Sequence, residues 1–242
     1  MITDSRQLRT SILGSAFLLC MLGCAGGESA QAGEGTGGED AEQAAATSDS
    51  GGEQMTAGAL LNANLAGEEE LAAVEGITPG AVSAIVAGRP FMDMLALDAA
   101  IAGELDEAGR EALYARVWVP LNLNAASAGE IQLIPGVGDR MTHEFEEYRP
   151  YDGMARFRRE IGKYVDETEV ERLASYVYVP IDLNTATDDD ILAIPGVGPR
   201  MLREFKEYRP YTDMEQFRRE IGKYVDEGEV ARLERYVTIA GS

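Results

Sequence analysis

An eleven-residue string, Phe-Arg-Arg-Glu-Ile-Gly-Lys-Tyr-Val-Asp-Glu, occupies positions 157–167 and recurs unchanged at 217–227. The same sixty-residue offset relates Asn124 to Asn184, and Pro135-Gly136-Val137-Gly138 to Pro195-Gly196-Val197-Gly198. A diverged copy lies upstream, where Leu61-Asn62-Ala63-Asn64 parallels Leu121-Asn122-Leu123-Asn124 and Arg89-Pro90-Phe91 parallels Arg149-Pro150-Tyr151. A period of this length marks one supersecondary unit used several times, which limits the fold to an array of that unit. Copy one spans residues 59–120, copy two 121–180 and copy three 181–239.

Each copy reads as a set of short helices, so the expected fold is all-α. In copy two, Ser127 and Glu130 have the spacing of a capping box. Ile131, Leu133 and Ile134 supply the apolar side of that first helix, and Pro135 to Gly138 interrupt it. Met141, Phe145 and Tyr148 then fall at i, i+4 and i+7, one face of a second helix. Thr187 with Asp190, then Met201, Phe205 and Tyr208, repeat the pattern in copy three. Arg149-Pro150 and Arg209-Pro210 stop the second helices, because a residue before proline avoids helical angles. A third helix is expected near Met154 to Ile161. A fourth starts from Asp166 and turns Val170, Leu173 and Val177 inward, and residues 176–179 form an extended link to the next copy. Sixty residues alone bury little apolar surface, so neighbouring copies are expected to pack together.

The first 58 residues read differently. Arg6 and Arg9 precede a mostly apolar run from Ser11 to Leu22, too short to span a bilayer comfortably and right for a signal peptide at 1–23. It ends in Met21-Leu22-Gly23-Cys24, which resembles a bacterial lipobox with Cys24 as the acylated residue. Residues 24–58 lack aromatics, are rich in Gly, Ala, Ser, Thr, Glu and Gln, and cannot offset the entropy of ordering, so they are expected to form a flexible acidic tether. The expected location is the cell envelope, lipid-anchored, at the outer membrane if the source is Gram-negative.

Charge bounds the partners. The chain carries −21 overall. Copies two and three are milder, with seven basic against eleven acidic residues in 121–180 and nine against thirteen in 181–242. Chemistry by side chains is poorly provided for. The two cysteines, Cys20 and Cys24, are both N-terminal and His143 is the single histidine. No copy offers a nucleophile–base set, a metal cluster or a phosphate loop with Lys, so no enzyme, cofactor or metal is expected. Asp188-Asp189-Asp190 is read as acid complementing a helix start.

The pattern running from Asn122-Leu123-Asn124-Ala125 through Ile134-Pro135-Gly136-Val137-Gly138 to Arg140-Met141, Phe145 and Tyr148-Arg149 resembles the helix-hairpin-helix unit of ComEA-type competence proteins, over roughly residues 61–238. That resemblance implies sequence-independent binding of double-stranded DNA, with a backbone phosphate held by Gly136, Val137, Gly138 and Arg140 in copy two. In copy three the matching residues are Gly196, Val197, Gly198 and Arg200, with Arg203 one turn on. The physical basis is a tight glycine turn opening a helix whose first amides lack partners and whose dipole favours an anion. Asp139 opposes this in copy two, and copy one, with Thr78 and Gly80 at the matching positions, is expected not to bind. Arg156, Arg158, Arg159 and Lys163, with Arg218, Arg219 and Lys223, either form a basic stripe or pair with neighbouring Glu. Two functions remain open: DNA binding outside the cytoplasm, as in DNA uptake, or a structural, protein-interaction module of the envelope in which the bends only join helices.

Overall fold

Each copy begins and ends on a two-residue strand with four helices between, and the two strands pair in parallel. The computed structural model describes residues 59–240, all within one compact unit. Copy one runs β1 (Leu61–Asn62), α1 (Glu68–Ala72), α2 (Pro79–Gly88), α3 (Met94–Ile101), α4 (Glu107–Tyr114) and β2 (Val117–Trp118). Copy two runs β3 (Leu121–Asn122), α5 (Ala128–Gln132), α6 (Asp139–Glu147), α7 (Met154–Ile161), α8 (Glu167–Ala174) and β4 (Val177–Tyr178). Copy three runs β5 (Ile181–Asp182), α9 (Asp188–Leu192), α10 (Pro199–Glu207), α11 (Met214–Ile221), α12 (Glu227–Glu234) and β6 (Val237–Thr238). The fold is helix-dominated, as the sequence pattern predicts. The segment at 176–179 does more than link copies: Val177 pairs with Leu121 and Tyr178 with Asn122, closing copy two on itself.

The helices form where their caps and apolar spacing place them. Ser127 accepts from the Glu130 amide while the Glu130 carboxylate takes the Ser127 amide, and Thr187 with Asp190 repeats this. Asp166 caps α8 by accepting from the Glu169 amide at 2.9 Å. At the centre of copy two, Phe145 and Phe157 meet edge to face with centroids 5.1 Å apart, and Phe205 and Phe217 do so at 5.5 Å in copy three. Copy one places Ile85 and Leu97, both fully buried, at the same positions.

The Asn and Arg-Pro signatures of the repeat meet in space. Asn124 Nδ2 donates to the Tyr151 carbonyl at 2.9 Å and Asn124 Oδ1 accepts from the Tyr151 amide at 2.7 Å. Asn64 with Phe91, and Asn184 with Tyr211, form the same pair. Arg149 donates to the Leu123 and Ala126 carbonyls, as Arg89 does to Ala63 and Ala66. Three Arg-Pro bonds, at Pro90, Pro150 and Pro210, are cis. These residues staple the strand-to-helix corner of each copy to the start of its second half, so their recurrence reports architecture.

The copies also close on one another. Trp118, buried between Tyr114 and Tyr176, donates Nε1 to the Tyr176 carbonyl at 2.9 Å, and copies one and two share a continuous apolar core. Tyr178 stacks on Tyr236 at 4.3 Å and donates to the Arg235 carbonyl, joining copy two to copy three. Copy three returns to the start: Arg235 Nη2 donates to the Pro120 carbonyl at 2.8 Å, Pro90 lies beside Gly228, and Leu65 lies beside Gly196. The array is therefore a closed cluster of three units.

Candidate functional site

All three bends begin the same way. Gly76, Gly136 and Gly196 have φ of 83°, 80° and 81°, the left-handed region in which a Cβ crowds the backbone. Of the two glycines in each motif, only the first serves the tight turn through its φ. Gly138 and Gly198 are extended, with φ of −108° and −102°, and a methyl group on either would meet no atom within 4 Å. Any residue but proline fits there conformationally. What glycine does at this position is withhold a side chain.

Copy one shows the consequence. Thr78 holds the position of the second glycine and its hydroxyl oxygen accepts from the Ala81 amide at 3.0 Å, capping α2. The Glu104 carboxylate also lies against Gly80 in the first turn. Copy one thus fills its own anion site, with a hydroxyl and a carboxylate. Gly138 and Gly198 provide no side-chain cap, so the first amides of α6 and α10 receive no acceptor from the cap residue's side chain. In α10 the first residue is Pro199, which has no N–H to lose; the Arg200 and Met201 amides remain.

The electrostatic settings of the two uncapped bends differ. Helix α6 carries Asp139, Glu144, Glu146 and Glu147 against Arg140. Its bend forms one wall of a cleft of about 540 Å³ whose other wall is α3 and α4 of copy one, with Asp98, Glu107, Arg110 and Glu111. Carboxylates therefore face Gly136, Val137 and Gly138 across the cleft, and Asp139 is held in place by Gln132 at 2.8 Å. Helix α10 carries Arg200, Arg203 and Lys206 against Glu204 and Glu207. Arg200 and Arg203 are exposed and, among the described residues, have no carboxylate partner. Lys206 is paired with Asp188 at 2.6 Å. Val137 and Val197 are buried behind their bends, so their role is to anchor the turn.

Most of the candidate basic stripe is neutralised internally. Arg158 binds Glu171 at 2.7 Å, Arg159 binds Glu160 at 2.9 Å, and Lys163 also reaches Glu160. Copy three repeats this with Arg218 on Glu234 and with Arg219 and Lys223 on Glu220. Hydrogen bonds from Lys163 and Arg159 hold the Glu160 carboxyl below its usual range, and Lys223 and Arg219 do the same for Glu220. Cations committed to carboxylates contribute little to a phosphate. Charge counting along the sequence could not distinguish them from Arg200 and Arg203, because the partners of Arg158 and Arg218 lie on the following helix.

Cys24 and the tether lie outside the described residues. No protein family, curated protein or solved structure matches this chain, so the helix-hairpin-helix resemblance rests on the sequence motif alone.

Proposed function

We propose that this chain binds the backbone of double-stranded DNA without regard to sequence, through one site at the opening of α10, while anchored in the cell envelope by a lipid on Cys24. The observation that supports it is the coincidence, in copy three alone, of an uncapped helix start with two exposed, unpaired arginines. Amides at a helix start and nearby guanidinium groups are suited to a phosphate and read no base. A site touching about two phosphates binds weakly, and its affinity falls with salt at a log–log slope of about −2. The surrounding negative charge weakens approach further.

The chain without residues 1–24 should retard duplex DNA of any sequence at low salt. Arg200→Glu with Arg203→Glu should lower affinity by at least about tenfold, whereas Arg140→Glu should change it little. Gly198→Thr should recreate the copy-one cap, abolish retardation and leave stability equal or a few tenths of a kcal/mol higher. Equal retardation by the double variant and by Gly198→Thr would reject the site. For the anchor, Cys24→Ala should release the full chain from membranes; retention of that variant would reject lipidation at Cys24.

A second reading, a protein-interaction module, is favoured by the carboxylate-lined cleft beside the copy-two bend.

A further inference from the structure

Copy one differs from the other copies in a consistent direction. Where copies two and three place Arg158 and Arg218, copy one has Asp98; Ala99 replaces Arg159 and Arg219, Gly103 replaces Lys163 and Lys223, and Ala112 replaces Arg172 and Arg232. Four cations that neutralise carboxylates in each of the other copies are thus absent. Glu171 of copy two is paired with Arg158, but its copy-one counterpart, Glu111, has no cationic partner among the described residues, and neither does Glu107 one turn earlier. Both carboxylates line the cleft between α4 and the copy-two bend. Leu133, Ile134, Pro135 and Val137 form the apolar side of the same cleft, with Ile134 and Val137 buried. Arg110, the one cation lining it, is already held by Asp98 at 2.7 Å.

The complementary surface is on the same chain. Arg200 and Arg203 stand one turn apart on α10, exposed and unpaired, as Glu107 and Glu111 stand one turn apart on α4. Leu192, 40% exposed, precedes the copy-three bend where copy two has Gln132, so the basic tip also carries apolar surface. We infer that the copy-three bend of one molecule docks into the copy-one/copy-two cleft of a second copy of this chain. Arg200 and Arg203 would meet Glu107 and Glu111, and Leu192 would meet the apolar wall. The two surfaces are different patches of one molecule, so the contact is head-to-tail and builds rings or open chains. It shares Arg200 and Arg203 with the DNA site proposed above, but Glu107 and Glu111 lie outside that site, so substitutions there separate the two ideas.

The test is sedimentation equilibrium of the chain without residues 1–24, which keeps the whole folded unit, at about 0.1 M salt, where the Debye length is about 10 Å and net repulsion is partly screened. Average mass should rise with concentration, and should return to the monomer value near 1 M salt. Arg200→Glu with Arg203→Glu, and separately Glu107→Arg with Glu111→Arg, should each remain monomeric. An equimolar mixture of these two variants should associate again, because the reversed tip of one fits the reversed cleft of the other and the unchanged tip fits the unchanged cleft. Glu107→Gln with Glu111→Gln, a milder change at exposed unpaired positions, should weaken association about tenfold or more while leaving DNA retardation intact. A wild-type chain that stays monomeric at every concentration, or a mixture no more associated than its components, would overturn the proposal.

Discussion

The bends of copies two and three share the sequence Pro-Gly-Val-Gly and nearly the same backbone angles, yet their surroundings differ on every side. Ahead of the copy-two bend is an acidic cleft, whereas Leu65 of copy one lies against the copy-three bend at Gly196. Behind the bends, Arg172 is 34% exposed and Arg232 only 2%. Along the following helices, Asp139, His143 and Glu146 become Pro199, Arg203 and Lys206. Identical turns thus acquire different potentials from residues outside the motif. A motif can fix where amides point, but the neighbours decide whether an anion is welcome there.

The largest expected difference between the bends lies in the arginine behind each. Arg232 holds Glu229 through Nε and Nη2 at 2.7 and 2.6 Å and is sealed beneath the copy-one contact. Its Nη2 approaches Gly196 closely enough to lie 3.0 Å from where a Cβ would stand. Arg172 makes the same pair with Glu169 at 2.7 Å, but solvent reaches both groups. Arg232→Ala removes packing as well as charge at the junction of copies one and three. It should destabilise the chain by about 3 kcal/mol, toward the low end for a broken buried pair because Glu229 is partly exposed. Arg172→Ala should cost below about 1 kcal/mol, as exposed pairs do. Urea denaturation of the two variants makes the comparison. Equal losses would mean that closure of copy one onto copy three contributes nothing at this point.

How much of this was legible in the sequence follows from the range of each interaction. The helices and their caps were readable because Ser127 and Glu130, or Met141 and Phe145, lie within a turn of each other and a period of 3.6 exposes them. The strands were not, since two residues are too few to show an alternation, and Leu121 pairs with Val177 across four intervening helices of the chain. Asn124 was visible as a signature, but its function as a staple needed Tyr151, 27 residues away. The candidate site was half legible. Gly196, Gly198, Arg200 and Arg203 come together as the motif suggests, but the roles of the two glycines depend on φ, which the letters do not carry. The acid walls around Gly136 come from copy one, and Glu104 over Gly80 sits at a helix junction shared by all three copies, where the other two carry Tyr164 and Tyr224. Long-range closure, such as Leu65 on Gly196, has no local signal at all.

The glycines themselves give a finer test of the same comparison, with smaller effects. Alanine at Gly136 must adopt a left-handed φ, which costs about 1–2 kcal/mol, and its methyl group would meet only Arg172 Nη2 at an ordinary 3.6 Å. Alanine at Gly196 carries that same backbone cost and also presses on Arg232 Nη2 at 3.0 Å and on the Leu65 methyls at 3.2 and 3.3 Å. Gly136→Ala should therefore lose about 1 kcal/mol and Gly196→Ala about 2 kcal/mol. Gly138→Thr, placed in open space with an extended backbone, should lose nothing and gain up to a few tenths of a kcal/mol from the new cap. Chemical denaturation gives the order of the three. If Gly196→Ala is no worse than Gly136→Ala, Leu65 yields freely, copy one rests on the third bend only loosely, and the two bends are alike in everything except charge.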